Sequence, residues 1–143
     1  MAFWAFKGVF MRRDAREAVF TLLYRDLYCN EEDLNFKNKI FKEHSLNELD
    51  TEFANKLYNS IKEHEGELLE KLANLSKGFL LNRIFNTDKC ALLIGLCEMT
   101  YFDDVPKIVA IDEAVAISKK YSTEKSQQFV NGILAEYKKQ QEA

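Results

Sequence analysis

Glycine and proline are scarce in this 143-residue chain, which has five of the first and one of the second. A sandwich of many short strands needs frequent turn chemistry, so the sequence excludes it. Cysteine is sparse too. Cys29, Cys90 and Cys97 cannot all pair internally and none forms a C-x-x-C, which points to a reducing, cytoplasmic compartment. No long apolar run exists. The strongest is Cys90–Cys97, closed off by Lys89 and Glu98, whereas a spanning helix needs about 20 such residues. A soluble protein without membrane contact is expected.

Histidine is nearly absent, and His44 and His64 both lie in polar stretches outside any nucleophile motif. There is no P-loop, G-x-G-x-x-G or H-E-x-x-H. Cys90 and Cys97 stand one heptad apart without further ligands nearby in sequence, and read as buried small hydrophobes. Asp103-Asp104 ahead of Pro106 reads as a turn. Catalysis, a metal and a cofactor are therefore not expected.

What is present points to helices. Apolar residues make up 47% and charged residues 30%, a balance that argues against disorder. The length favours one domain, able to bury about two-thirds of its unfolded surface without a disulfide. From Asp14, the residues Ala15, Ala18, Val19, Leu22, Leu23 and Leu27 recur at helical spacing. A helix or loop runs through Phe36–Phe41. Ser45-Leu-Asn-Glu48 reads as a capping box that opens a helix with Leu49, Phe53, Leu57 and Ile61 inward. Leu68, Leu69, Leu72 and Leu75 mark the next, ending near Gly78. Thr87 is placed to cap a helix that is apolar nearly all round from Cys90 to Met99, as a central element must be. Ile111, Ala114, Val115, Ser118 and Tyr121 give another helix, and Phe129, Val130, Ile133, Leu134 and Tyr137 the last. The expectation is an all-α, single-domain helical bundle.

Charge is unevenly placed. The first 25 residues hold five cations against two acids, a net of +3, and the remaining residues carry −6. Four of the five arginines lie in this head, which suggests a local anionic partner. Arg13, Arg16, Phe20 and Tyr24 form a stripe along one side of the first helix. Guanidinium groups contact phosphates and stack on bases, and aromatic faces accept unstacked bases. On spacing alone, a second reading stays open, in which Phe20 and Tyr24 are core and the arginines a solvated helix start. Residues 1–11 read as an N-terminal extension, Met1–Phe10 lying upstream of a natural start at Met11, with Phe3, Trp4, Phe6 and Phe10 as an aromatic arm; packing of that arm on a second copy, as in a homodimer, stays open.

Several segments, in order, resemble one family. Arg12-Arg13-Asp14-Ala15-Arg16-Glu17 with Leu23-Tyr24 is similar to the opening of the bacterial transcription antitermination factor NusB family. Glu98-Met99-Thr100-Tyr101-Phe102, Val105-Pro106 and Ala110-Ile111-Asp112-Glu113-Ala114-Val115 resemble its middle. Lys119-Lys120-Tyr121 and Phe129-Val130-Asn131-Gly132-Ile133-Leu134 resemble its close. The resemblance covers nearly all of residues 12–143, and implies about seven helices in two small subdomains, no enzymatic activity and no cofactor. It further implies an adaptor that, with ribosomal protein S10, binds boxA-type single-stranded leader RNA. That complex helps RNA polymerase read through terminators during ribosomal RNA transcription. Arg12, Arg13, Arg16, Phe20 and Tyr24 match the RNA-binding head, with Gln128 and Phe129 completing it. Asp88, Glu98 and Tyr101 fall near the positions that meet S10.

Five residues depart from the pattern. Asp14 and Leu93 stand where arginine is common, Gln128 where lysine is, Cys97 where tyrosine is and Asp112 where asparagine is. Lost cations weaken phosphate contact, while Asp112 can still serve as a helix cap. Two other classes remain in play. One is a helical protein-interaction module without RNA binding, and the other a free-standing relative of the helical domain that precedes some ribosomal RNA cytosine methyltransferases.

Overall fold

The computed structural model describes residues 12–29, 31–77 and 81–143. The extension at 1–11 and the expected stop at Gly78 lie outside the described residues. Among the described residues there are seven α-helices and one 3-10 turn, and no strand. The helices are α1 (Arg13–Asp26), α2 (Leu34–Glu43), α3 (Glu48–Glu63), α4 (Glu65–Leu75), α5 (Asn86–Tyr101), α6 (Lys107–Tyr121) and α7 (Glu124–Glu142). The chain divides after Asn59 into two compact units.

In the first unit, α1 packs against α2. Ala15, Ala18, Val19, Leu22 and Leu23 are buried as their spacing requires, with Ile40 and Phe41 from α2 and Phe53, Ala54 and Leu57 from α3. Leu27 and Leu49 were expected inside, yet both are exposed. Leu27 is the C-cap of α1 and Leu49 lies in the first turn of α3, beyond the stretches that carry the buried stripes.

The start of α3 also differs from the expected capping box. Ser45 ends the previous helix in a left-handed conformation, with φ 53°. Its N–H donates to Lys42 O, and Leu46 N–H reaches back to Phe41 O at 3.2 Å. Those two bonds form a Schellman motif, which satisfies carbonyls at a helix end. Asn47 then caps α3, its Oδ1 accepting from Asp50 N–H at 2.8 Å.

In the second unit, α5 is the centre, and α4, α6 and α7 all pack on it. Every residue from Cys90 to Met99 is buried, which fits a helix apolar on all sides. Gly95 makes this possible: a Cβ there would lie 2.7 Å from Leu134 Cδ1 and 3.2 Å from Ala114 Cβ. The Leu134 and Ala114 side chains close onto this face because Gly95 has no side chain of its own. Thr87 does not cap α5; it lies inside the first turn and donates to Ser122 Oγ at 3.2 Å. Asp112 is likewise an exposed mid-helix residue of α6, which begins after Pro106. Thr123 caps α7 by accepting from Ser126 N–H.

Candidate nucleic-acid interface

Helix α1 carries four of the seven residues expected to face RNA and Arg12 immediately precedes it, and the five differ sharply in accessibility. Arg13 is exposed and Arg12, just ahead of the helix, is half-buried. Tyr24 is 37% exposed. Arg16 and Phe20 correct the expectation, since both are buried, Arg16 at 0%. The enclosed arc of α1 is wider than its aliphatic residues alone define. Ala15 to Phe20 are all buried, so the stripe on the flank is partly swallowed.

Phe53 of α3 explains part of this. The Arg12 guanidinium lies 4.5 Å from its ring centroid and that of Arg16 5.1 Å, so one ring carries two cations. Nothing in local sequence links residue 53 to residues 12 and 16. Arg25, counted in the basic head, is also committed: it donates to Glu31 O at 3.0 Å and to Cys29 Sγ at 3.3 Å, and lies over Phe36. The accessible cationic face is therefore smaller than the head's formal charge suggests.

The aromatic side is larger than expected. Phe20, Tyr24 and Tyr28 follow one another at i, i+4 spacing, with ring centroids 6.3 and then 5.5 Å apart. Tyr28 is 68% exposed, and its spacing from Tyr24 was the available signal. Burial runs down this row, from an anchored Phe20 to an open Tyr28. Such a row offers flat faces on which bases can stack. Tyr58 fixes the far end of α1, its hydroxyl donating to Asp26 Oδ2 at 2.6 Å.

The remaining two residues are on α7, in the second unit. Gln128 is exposed and Phe129 half-buried. Phe129 lines a cleft of 660 Å³ with Arg83, Phe85, Asp88, Lys125 and Ser126. Arg83 and Lys125 supply cations that sequence reasoning missed.

Asp88 and Glu98 were expected to meet a partner protein, but neither is surface-exposed; both are buried. Asp88 accepts from Ser126 Oγ at 3.0 Å through Oδ2 and so ties α5 to the start of α7, while its Oδ1 has no hydrogen-bond partner. Glu98 lies within the stretch of α5 from Cys90 to Met99 that is buried throughout. Tyr101 is half-buried and stacks on His64 with centroids 4.0 Å apart. Burial, then the neighbouring Glu67 carboxylate, push its hydroxyl up to about 12. Cys90 and Cys97 are both buried, and burial pushes the Cys97 thiol up to about 11.

The fold is an all-helical one that presents guanidiniums and tyrosines along and beside its first helix. The chain belongs to the NusB family, whose model matches residues 13–139. Over 131 residues it is 34% identical to the transcription antitermination protein NusB of Finegoldia magna, covering 92% of this chain and 96% of that protein. Its fold superposes on NusB of T. maritima with a TM-score of 0.77 at 32% identity, over 87% of this chain and 88% of the other. A structure of antitermination factors NusB and NusE in complex with dsRNA is similar at a TM-score of 0.76 and 26% identity, over 87% and 92% of the respective chains. No helix among the described residues is long and apolar enough to cross a membrane.

Proposed function

We propose that this protein is a non-enzymatic RNA-binding adaptor of transcription antitermination, acting in the bacterial cytoplasm. With ribosomal protein S10, which is NusE, it binds boxA-type single-stranded leader RNA and promotes read-through by RNA polymerase during ribosomal RNA transcription. The observation that carries this reading is α1 and the turn just after it, where Arg13 is exposed and Tyr24 and Tyr28 open to solvent. Family membership and the NusB–NusE–RNA neighbour support it.

Arg12 and Arg13 neutralise phosphates in this reading, and Tyr24 with Phe129 stack on bases. Arg16 and Phe20 hold α1 in place from beneath. Asp88 and Glu98 serve the S10 face by fixing helix positions, with exposed Phe85 and half-buried Tyr101 nearer to a partner. Two guanidinium contacts release few counterions, so the salt slope on single strands is about −1.4, from ~0.7 per contact. Binding alone is modest. A partner with its own RNA surface raises it through effective concentration.

Fluorescence anisotropy of a short single-stranded leader RNA, titrated with and without S10, tests the proposal. The expected result is weak, salt-dependent binding that tightens when S10 is added. S10 binding without any RNA affinity would leave a protein-interaction module instead. Failure to bind either would leave the reading of a methyltransferase-type helical domain.

A further inference from the structure

The Schellman turn that closes α2 leaves His44 as its C-cap. One ligand atom each from His44, Asp14 and Glu17 lie within 4.8 Å of one another. Asp14 and Glu17 are three apart on α1 and so share a face. Asp14 is exposed, His44 half-buried and Glu17 buried, a gradient that gives one pre-placed donor and two that can adjust. Glu17 also engages its surroundings. A carboxylate with two oxygens can keep one partner and offer the other oxygen.

We propose that Asp14, Glu17 and His44 form a binding site for one divalent transition-metal ion, of the class of Zn²⁺, Mn²⁺ or Co²⁺. Two carboxylates with one imidazole suit these ions, whereas a thiolate-free set does not select Cu(I). Donors bonded at 2.0–2.2 Å stand about 3–3.5 Å apart, so the three groups draw together by on the order of 1 Å. Rotation of the exposed Asp14 and half-buried His44 side chains supplies that movement. Three protein donors leave coordination positions open to water or to an anionic oxygen.

The site has an electrostatic consequence, which rests on the RNA-binding reading, although the site itself does not. Asp14 and Glu17 together place two negative charges beside Arg12 and Arg13. A bound divalent ion cancels them at the edge where phosphate would approach, and an open coordination position can take a phosphate oxygen. RNA affinity then depends on metal.

Titrating the chelator-stripped, full-length chain with Co²⁺ tests the site, read by visible absorption and by calorimetry. One ion per chain is expected at micromolar metal, without the near-ultraviolet thiolate-to-cobalt absorption that a site using Cys29 would show. Asp14→Asn and His44→Gln should each weaken binding by about tenfold or more, with thermal melts matching the parent. No saturable binding, binding that survives both substitutions, or a thiolate band overturns the site. For the consequence, RNA anisotropy is compared with and without Co²⁺. Metal should tighten RNA binding by the parent chain, and metal-free Asp14→Asn should bind RNA more tightly than the metal-free parent. Metal bound at the triad with unchanged RNA affinity supports the site and discards its link to RNA. RNA binding indifferent to metal in a chain that binds no metal overturns this inference while leaving the adaptor reading intact.

Discussion

Arg13 and Arg16 share the opening turns of α1 but not their surroundings. Arg13 is exposed, whereas Arg16 is enclosed with its guanidinium over Phe53. Truncating them should act on different quantities. If Arg13 contacts phosphate as proposed, Arg13→Ala lowers RNA affinity and shrinks the salt slope by about 0.7, with the melting temperature unchanged. Arg16→Ala removes a desolvated cation–π partner and a long packed stem, and costs on the order of 2 kcal/mol of stability in denaturant titrations. The folded fraction of that variant keeps its salt slope. An Arg13→Ala protein with unaltered affinity and slope would remove Arg13 from the interface. Spacing placed Arg13, Arg16, Phe20 and Tyr24 on one flank, but the width of the buried arc was not legible there. It depends on Phe53, a residue that no local pattern connects to the helix start. The same holds for Asp88 and Glu98, whose burial follows from neighbours on other helices.

Helices were legible where a long apolar period exists, and their ends were not. The inward faces of α1, α5 and α7 follow the sequence pattern closely, since burying an apolar stripe is the dominant gain in forming them. Caps depend on the boundary to the residue. Ser45, Thr87 and Asp112 each have a capping side chain, but one sits in the preceding turn and two lie inside helices. Gly95 is the counterexample, a residue whose role only the packed helices disclose. In Gly95→Ala the gain in helix propensity is about 1 kcal/mol. The added methyl meets Leu134 at 2.7 Å and Ala114 at 3.2 Å, and overpacking of this kind costs about 1–3 kcal/mol. Because Leu134 is itself fully buried, its tip has little room to yield, and the clash should win. The denaturation midpoint is expected to fall; a rise by the full propensity gain would mean that the Leu134 side chain rotates away at little cost.

At the scale of the whole chain, the uneven charge and the buried neutral acids set how the protein responds to solution. The first 25 residues carry +3 and the remainder −6, so an anionic strand is drawn to one end and repelled elsewhere, more strongly at low salt. Alkaline pH acts on the fold instead. The Cys97 thiol is raised from 9.0 to about 11, mainly by burial. The Tyr101 hydroxyl is raised from 10.0 to about 12, by burial and then Glu67. The fold favours the protonated form of both groups. Below pH 9 folded and unfolded chains are both protonated, and the contribution is fully present. As pH rises past 9, the unfolded chain releases the Cys97 proton first, and past 10 that of Tyr101. Stability drains away until the folded values near 11 and 12 are passed. Urea titrations should therefore show a plateau up to about pH 9 and a progressive fall above it. Replacing Cys97 with Ala should delay the onset to about pH 10, where Tyr101 begins to titrate. An onset unmoved by that substitution would mean that the thiol ionises as readily in the folded chain as in the unfolded one.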